Sequence, residues 1–264
     1  MNMQIQKISK SDREIKFSIE GTNAQFVNAL RRIAITEVPI LAVDHVNFFV
    51  NDSAMYDEII AHRLALLPLS FEQKTFVLPE DCKCNGEGCT NCQIILSIDK
   101  KGPCIVYAKD IKSEDKEAAS TLYPETPIVE LLENQRLKLT AVAKLGLGKT
   151  HAKHSAAKAF FRLYPSVKLS DELKNPEDCI KICPKHALSI EGKKASVNED
   201  CDLCGECVKT SLPKDVLTVS GTEGKYIFIL ESISGLSAED IMLQANDILK
   251  KKLKDFGKQV KSLK

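Results

Sequence analysis

Residues 15–39, IKFSIEGTNAQFVNALRRIAITEVP, decide how the chain folds, because the hydrophobic period changes within them. Ile15, Phe17 and Ile19 alternate with polar neighbours, as a half-buried strand does. Gly21 and Asn23 then break the chain, and Phe26, Val27, Leu30, Ile33 and Ala34 recur at helical spacing until Pro39 forces a stop. Asn23 sits where a side-chain oxygen can accept a first-turn backbone N–H, so it is read as the helix N-cap. Upstream, Ile5 to Ile19 alternates on both sides of the polar break Ser9 to Arg13, which predicts a β-hairpin. A hairpin feeding an amphipathic helix is the start of an α+β fold.

The rest of the chain extends that pattern. Ala42 to Val50 reads as a strand, and Asp57 to Leu67 as a second amphipathic helix ended by Pro68. Ile94 to Ile98, Cys104 to Ala108 and Leu137 to Leu145 are further strands, with charged connectors such as Lys112 to Glu117. At the C-terminal end Ser237 caps a long helix, with Glu239 and Asp240 at its positive end. Ile241, Ala245, Ile248, Leu249, Leu253, Phe256 and Val260 form its apolar stripe, and seven lysines crowd Lys250 to Lys264. Such a helix needs a surface to lie on, either the chain's own sheet or a partner chain.

Bulk properties exclude several classes of function. With 264 residues, 28% charged and a net charge of +1, no electrostatic excess marks a nucleic-acid or membrane binder. The longest apolar runs, such as Leu64 to Leu69, fall far short of the roughly 20 residues of a membrane span. Met1 to Glu20 carries no apolar signal region, so a cytoplasmic location is expected. Ten cysteines in a reducing compartment point to metal before disulfides, although hyperthermophile proteins do keep intracellular disulfides.

Cys201, Cys204 and Cys207 form C-x2-C-x2-C, the spacing with which one loop offers three thiolates to a cubane cluster. Cys183-Pro184 supplies the fourth ligand in the ferredoxin manner, upstream of a hairpin-like stretch from Ala187 to Val197. A second cluster fails ligand by ligand: Leu173, Pro176 and Ser211 stand where cysteines are needed, and Cys179 is a spare thiol. One 4Fe-4S cluster is expected, isolated as 3Fe-4S if an iron is lost, and a four-cysteine zinc site is the competing reading. A separate group, Cys82, Cys84, Cys89 and Cys92, packs four thiols into eleven residues and suits a closed zinc site. Disulfides and free thiols are its alternatives. Cys104, alone in an apolar strand, is assigned to the core.

Other signals are weaker. Gly146-Leu147-Gly148-Lys149-Thr150 invites a phosphate-loop reading, but Ala143 stands where that motif needs its first glycine, so it is read as a basic loop. His151 and His154 lack a third ligand and are assigned to the surface or to partner contacts. His45, His62 and His186 are isolated, and no catalytic constellation is found.

Phe17 to Gly21, Phe26 to Ile33, Glu37 to Pro39, Ala42 to Asp44, Asp57 to Pro68 and Gly146-x-Gly148-x-x-His151-Ala-Lys153 together resemble the D-type subunit of archaeal RNA polymerase. Its counterparts are the third-largest subunit of eukaryotic RNA polymerase II and the bacterial alpha subunit. The resemblance runs through almost the whole chain and implies a non-catalytic platform. In that reading residues 1–41 and 223–264 form a discontinuous dimerisation domain, 42–165 an inserted mixed β domain holding the Cys82–Cys92 loop, and 166–222 a ferredoxin-like module. It further implies pairing with subunit L, joining of subunits N and P, and docking of the large catalytic subunits, with no membrane contact or sequence-specific DNA binding. Phe26, Leu30, Arg31, Arg32, Ile33, Ile241, Ile248, Leu253 and Phe256 are the expected partner-facing residues, with solvated charge as the alternative for the arginines. Two rivals remain: a ferredoxin-type electron carrier, which explains about fifty residues, and a zinc-stapled nucleic-acid-binding module, which neutral charge and the absence of Trp oppose.

Overall fold

The computed structural model describes residues 3–115 and 118–263. The end of the charged connector Lys112 to Glu117 and the final lysine of the C-terminal run, Lys264, lie outside the described residues. The chain divides into two compact units, one holding Ile15–Arg31 and Ala159–Leu230 with the first strand, the other holding Arg32–Lys158 and the C-terminal stretch from Glu231 with Ser11–Glu14.

In the first unit β1 (Gln4–Lys10) and β2 (Glu14–Glu20) form the expected hairpin, pairing from Gln4 with Glu20 to Lys10 with Ile15 around a bulge between Lys7 and Ser9. Helix α1 (Ala24–Thr36) follows, and its cap is the one read from the sequence: Asn23 Oδ1 accepts the Phe26 N–H at 2.9 Å.

The second unit is built on β3 (Ile40–Asn51), followed by α2 (Asp57–Ala65), β4 (Leu69–Phe71), β5 (Gln93–Lys101), β6 (Cys104–Tyr107), β7 (Lys112–Ser113), β8 (Ala119–Thr121), β9 (Pro127–Leu131) and β10 (Arg136–Gly146). Its main sheet has the order β3-β10-β5-β7, and β4–β8 and β6–β9 are small antiparallel pairs. Alternate side chains of the long strands face one core of Leu41, Val43, Leu96, Ile98, Leu137 and Leu139, which Ile60 and Leu64 of α2 join. Each such side chain contributes about 1.5–3 kcal/mol on burial.

Two long strands then enclose the cysteine-rich module. β11 (Ala157–Leu169) leads into α3 (Pro176–Lys181), the hairpin β12 (Leu188–Glu191) with β13 (Lys194–Val197), and the short helix α4 (Glu206–Thr210). β14 (Leu217–Ser232) leads out and on to α5 (Ala238–Ser262). The sheet order β1-β2-β14-β11 places β14 beside β2 and leaves β11 as an edge. The edge position explains how β11 accommodates Pro165, whose missing N–H would break a central ladder. Phe17 of β2 stacks on Phe228 of β14 with ring centroids 5.2 Å apart.

One placement differs from the sequence reading. His154 is 5% exposed and belongs to the core, not to the surface: its Nδ1 lies 2.9 Å from the Ile40 carbonyl oxygen. The reason is a glycine. A Cβ on Gly146 would meet the His154 ring at 2.5 Å, so the ring occupies the space that a side chain would fill. Gly148 is excluded from substitution in the same way, by the Ile35 carbonyl at 2.7 Å, and Lys149 donates its N–H to Thr36 O at 2.9 Å. The glycine loop is therefore a docking loop on the end of α1. Cys104 is half-buried and packs at the margin of the core, with its Sγ 3.4 Å from the Lys101 carbonyl.

Candidate metal centres and partner surface

The Cys82–Cys92 loop closes where Val77 donates its N–H to Asn91 O at 2.9 Å. Within it Asn85, Gly86 and Gly88 take left-handed backbone angles, φ 52°, 83° and 102°. That curl is available to glycine and tolerated by asparagine, and it turns the chain back on itself in a few residues. All four sulfurs lie within 4.8 Å of one another. Four of the separations are 3.4 Å (Cys82–Cys84), 3.5 Å (Cys82–Cys89), 3.5 Å (Cys84–Cys92) and 3.9 Å (Cys89–Cys92). A disulfide would need about 2.05 Å, whereas four thiolates each ~2.3 Å from one tetrahedral ion stand about 3.8 Å apart. Cys82 and Cys92 are buried and Cys84 and Cys89 half-buried. The backbone N–H of Gly88, together with the Cys82 thiol, lowers the Cys84 thiol to about 6. The backbone N–H of Cys84 opposes a rise at Cys82, but the Cys84 side chain and burial push that thiol up to about 12. The group is closed and sulfur-only, and it could hold a metal ion.

The second set surrounds one cavity, lined by Cys183, Cys201, Cys204 and Cys207 with Ala187, Leu188, Val197 and Val219. These sulfurs are not gathered as tightly as the first four, which are the group of ligands within 4.8 Å found among the described residues. Cys183 and Cys207 are buried, Cys201 is half-buried and Cys204 is exposed. Burial raises the thiols of Cys201 and Cys207, opposed by the N–H groups of Leu203 and Val208 respectively. Ala187 directs its N–H at Cys183 Sγ, 3.4 Å away. Leu203 and Gly205 take φ of 62° and 78°, which coils the ligand loop. The donor set and its N–H groups fit a thiolate-held cluster. Leu173, Cys179 and Leu217 pack with Leu188 and Cys207 of the cavity lining into one apolar core, and the buried Ser211 hydroxyl donates to Val208 O at 2.7 Å. The positions of Leu173 and Ser211 are filled by packing, not by ligands.

The family model of the RNA polymerase Rpb3/RpoA insert domain matches residues 43–162. A DNA-directed RNA polymerase subunit Rpo3 of Methanothermobacter thermautotrophicus is 39% identical over 95% of this chain and 96% of its own length. Those of Archaeoglobus fulgidus and Pyrococcus furiosus are 33% and 35% identical, covering 100% and 99% of this chain and 100% and 98% of theirs. The chain belongs to the Rpo3 family of DNA-directed RNA polymerase subunits.

Within this family fold the expected partner-facing residues separate into two groups. Leu30, Ile33 and Ile241 are buried within the chain itself, and Phe26 and Ile248 are half-buried. The Arg31 guanidinium is held by Asn28 Oδ1 at 3.0 and 3.1 Å, while Arg32 is exposed. Leu253 and Phe256 are 62% and 66% exposed. Helix α5 therefore buries its first turns through Ala238, Ile241 and Ala245 and projects its last turns into solvent. Leu243 and Leu263, which sequence reasoning omitted from this surface, are exposed too, Leu263 at 85%. For Leu263 the signal was present as an apolar side chain in the lysine-rich stretch. Lys252 of this segment pairs with Glu37. Beside the glycine loop, Lys153 donates to Val43 O at 3.0 Å and to Asp44 Oδ1 at 3.2 Å. Burial works against the Asp44 carboxylate, but Lys153 and Lys144 hold it below the usual range. No described helix is long and apolar enough to cross a membrane.

Proposed function

We propose that the chain is a non-catalytic assembly platform of DNA-directed RNA polymerase, equivalent to the archaeal D-type chain, which pairs with an L-type subunit and presents the pair to subunits N and P and to the large catalytic subunits. The observation that carries this reading is the exposed end of α5. Leu249, Leu253, Phe256, Val260 and Leu263 follow one another at alternating spacings of four and three, the seam a helix offers to a second helix. A monomer gains nothing by leaving Leu253 and Phe256 in water, whereas a facing helix would gain about 25 cal/mol per Å2 of apolar surface covered. In this reading the dimerisation domain comprises residues 1–41 and 223–264, the insert 42–165 and the ferredoxin-like module 166–222. The test is co-purification with the L-type subunit. Leu253→Asp with Phe256→Asp should abolish the pair while leaving circular dichroism and thermal unfolding of the isolated chain unchanged; full retention of pairing would reject the platform.

Two metal assignments belong to this proposal. The tight tetrad Cys82, Cys84, Cys89 and Cys92 is assigned to zinc, and the wider set Cys183, Cys201, Cys204 and Cys207 to one 4Fe-4S cluster, or its 3Fe-4S form after loss of an iron. The cluster is structural in this reading. The rival electron carrier would require reversible reduction coupled to turnover with a redox partner, and redox-inert behaviour in the intact polymerase would exclude it.

A further inference from the structure

The loop that delivers Cys201 to the cluster cavity is fastened to the sheet of its own unit at two separate strands. Lys16 of β2 donates from Nζ to Asp200 Oδ1 at 2.9 Å, and Arg162 of β11 donates to the Glu199 carbonyl at 2.6 Å. In sheet order β14 lies between those two strands, and its Val219 lines the cavity. Residues 199 and 200 therefore bridge across β14, immediately before the first ligand of the C-x2-C-x2-C run. Asn198 joins this bridge to the other ligand run: its N–H donates to Ala187 O at 3.0 Å, and its carbonyl accepts the Cys201 N–H at 3.3 Å. Its Oδ1 also accepts the Asp200 N–H at 3.0 Å.

We infer that Lys16 and Arg162 are positioning residues for the iron-sulfur cluster, so that cluster occupancy and the order of β2 are one coupled equilibrium. This inference rests on the cluster assignment proposed above. An exposed ion pair is weak alone, and Asp200 is largely exposed. The cations, however, are not free to rejoin water. The Lys16 side chain is mostly covered, and Arg162 Nε is buried with no partner. If the Cys201 loop leaves, Lys16 loses the Asp200 carboxylate and Arg162 the Glu199 carbonyl, and an unpaired buried donor is costly. β2 runs directly through Gly21 into the Asn23 cap of α1, so a loosened β2 reaches the start of that helix. Coupling of this kind is reciprocal: whatever the cluster gives to β2, an ordered β2 returns to the cluster.

The experiment uses the full chain, reconstituted anaerobically, with iron and sulfide assayed first. Amide hydrogen exchange of peptides covering Glu14–Glu20 and on to Asn23 is compared before and after iron is stripped with a ferrous chelator. In the unsubstituted chain, stripping should speed exchange in β2 by about tenfold. Lys16→Met with Arg162→Met should release iron about tenfold faster to the same chelator, followed by visible absorbance, and its β2 exchange should no longer depend on iron. Lys16→Arg should restore retention, which a merely space-filling role would not require. Unchanged β2 exchange on stripping the unsubstituted chain would overturn the coupling even if the double variant misfolds. A reconstituted chain with no iron and sulfide would instead reject the cluster assignment, and the coupling with it.

Discussion

At the scale of single residues the sharpest test is His154. Burial pushes its imidazole below the ordinary value, the Ile40 carbonyl opposes that, Lys153 and His151 disfavour a second proton and Asp44 favours one. The folded state therefore binds fewer protons than the unfolded state between the depressed folded value and about 6.5. Stability is full above ~6.5 and falls as pH drops through that window, with a slope approaching about 1.4 kcal/mol per pH unit for one proton. Denaturant melts from pH 7.5 to 5 should show this slope, and His154→Gln should remove its share; an identical slope in the variant would refute the assignment. Gly146→Ala should cost about 1–3 kcal/mol, because the new methyl and the His154 ring claim one space. Chemical denaturation gives the value, and His154→Ala in the same chain should recover part of the loss.

Among elements, the Cys82–Cys92 loop and the end of α5 behave differently. The loop has few buried apolar side chains of its own beyond its cysteines, so metal should hold its shape. Removing metal should open residues 77–93 to limited proteolysis while the β3-β10-β5 sheet stays protected. Cys92→Ser should give the same cleavage pattern without a chelator, and an uncleaved metal-free loop would show that the turns alone suffice. For α5, deleting residues 253–264 removes no buried side chain among the described residues, so the melting temperature of the isolated chain should change little. Partner binding should be lost in the same protein, as gel filtration with the L-type subunit would show. A large fall in melting temperature would place those turns in the chain's own core instead.

On the scale of the whole molecule, two sulfur sites of different width predict one composition. Anaerobically purified chain should contain about four iron, about four sulfide and about one zinc. Substituting Cys204 by Ser should lower iron and sulfide but not zinc, and substituting Cys84 the reverse. Crossed losses would mean that the two sites are not independent.

Local pattern alone was enough for the hairpin, the Asn23 cap, helices α1, α2 and α5 and the gathering of Cys82, Cys84, Cys89 and Cys92, since each is specified by neighbours a few positions apart. Period, capping and ligand spacing are properties of the chain before it folds. Tertiary structure decided what depends on residues distant in sequence: that β11 and β14 join the hairpin sheet, with Pro165 tolerated only because β11 is an edge. It also decided that His154 fills the void left by Gly146, and that the α5 stripe divides into a buried beginning and a solvent-facing end. A stripe records only that a face is apolar. Which part of it the chain covers for itself depends on where its own fold runs out of surface.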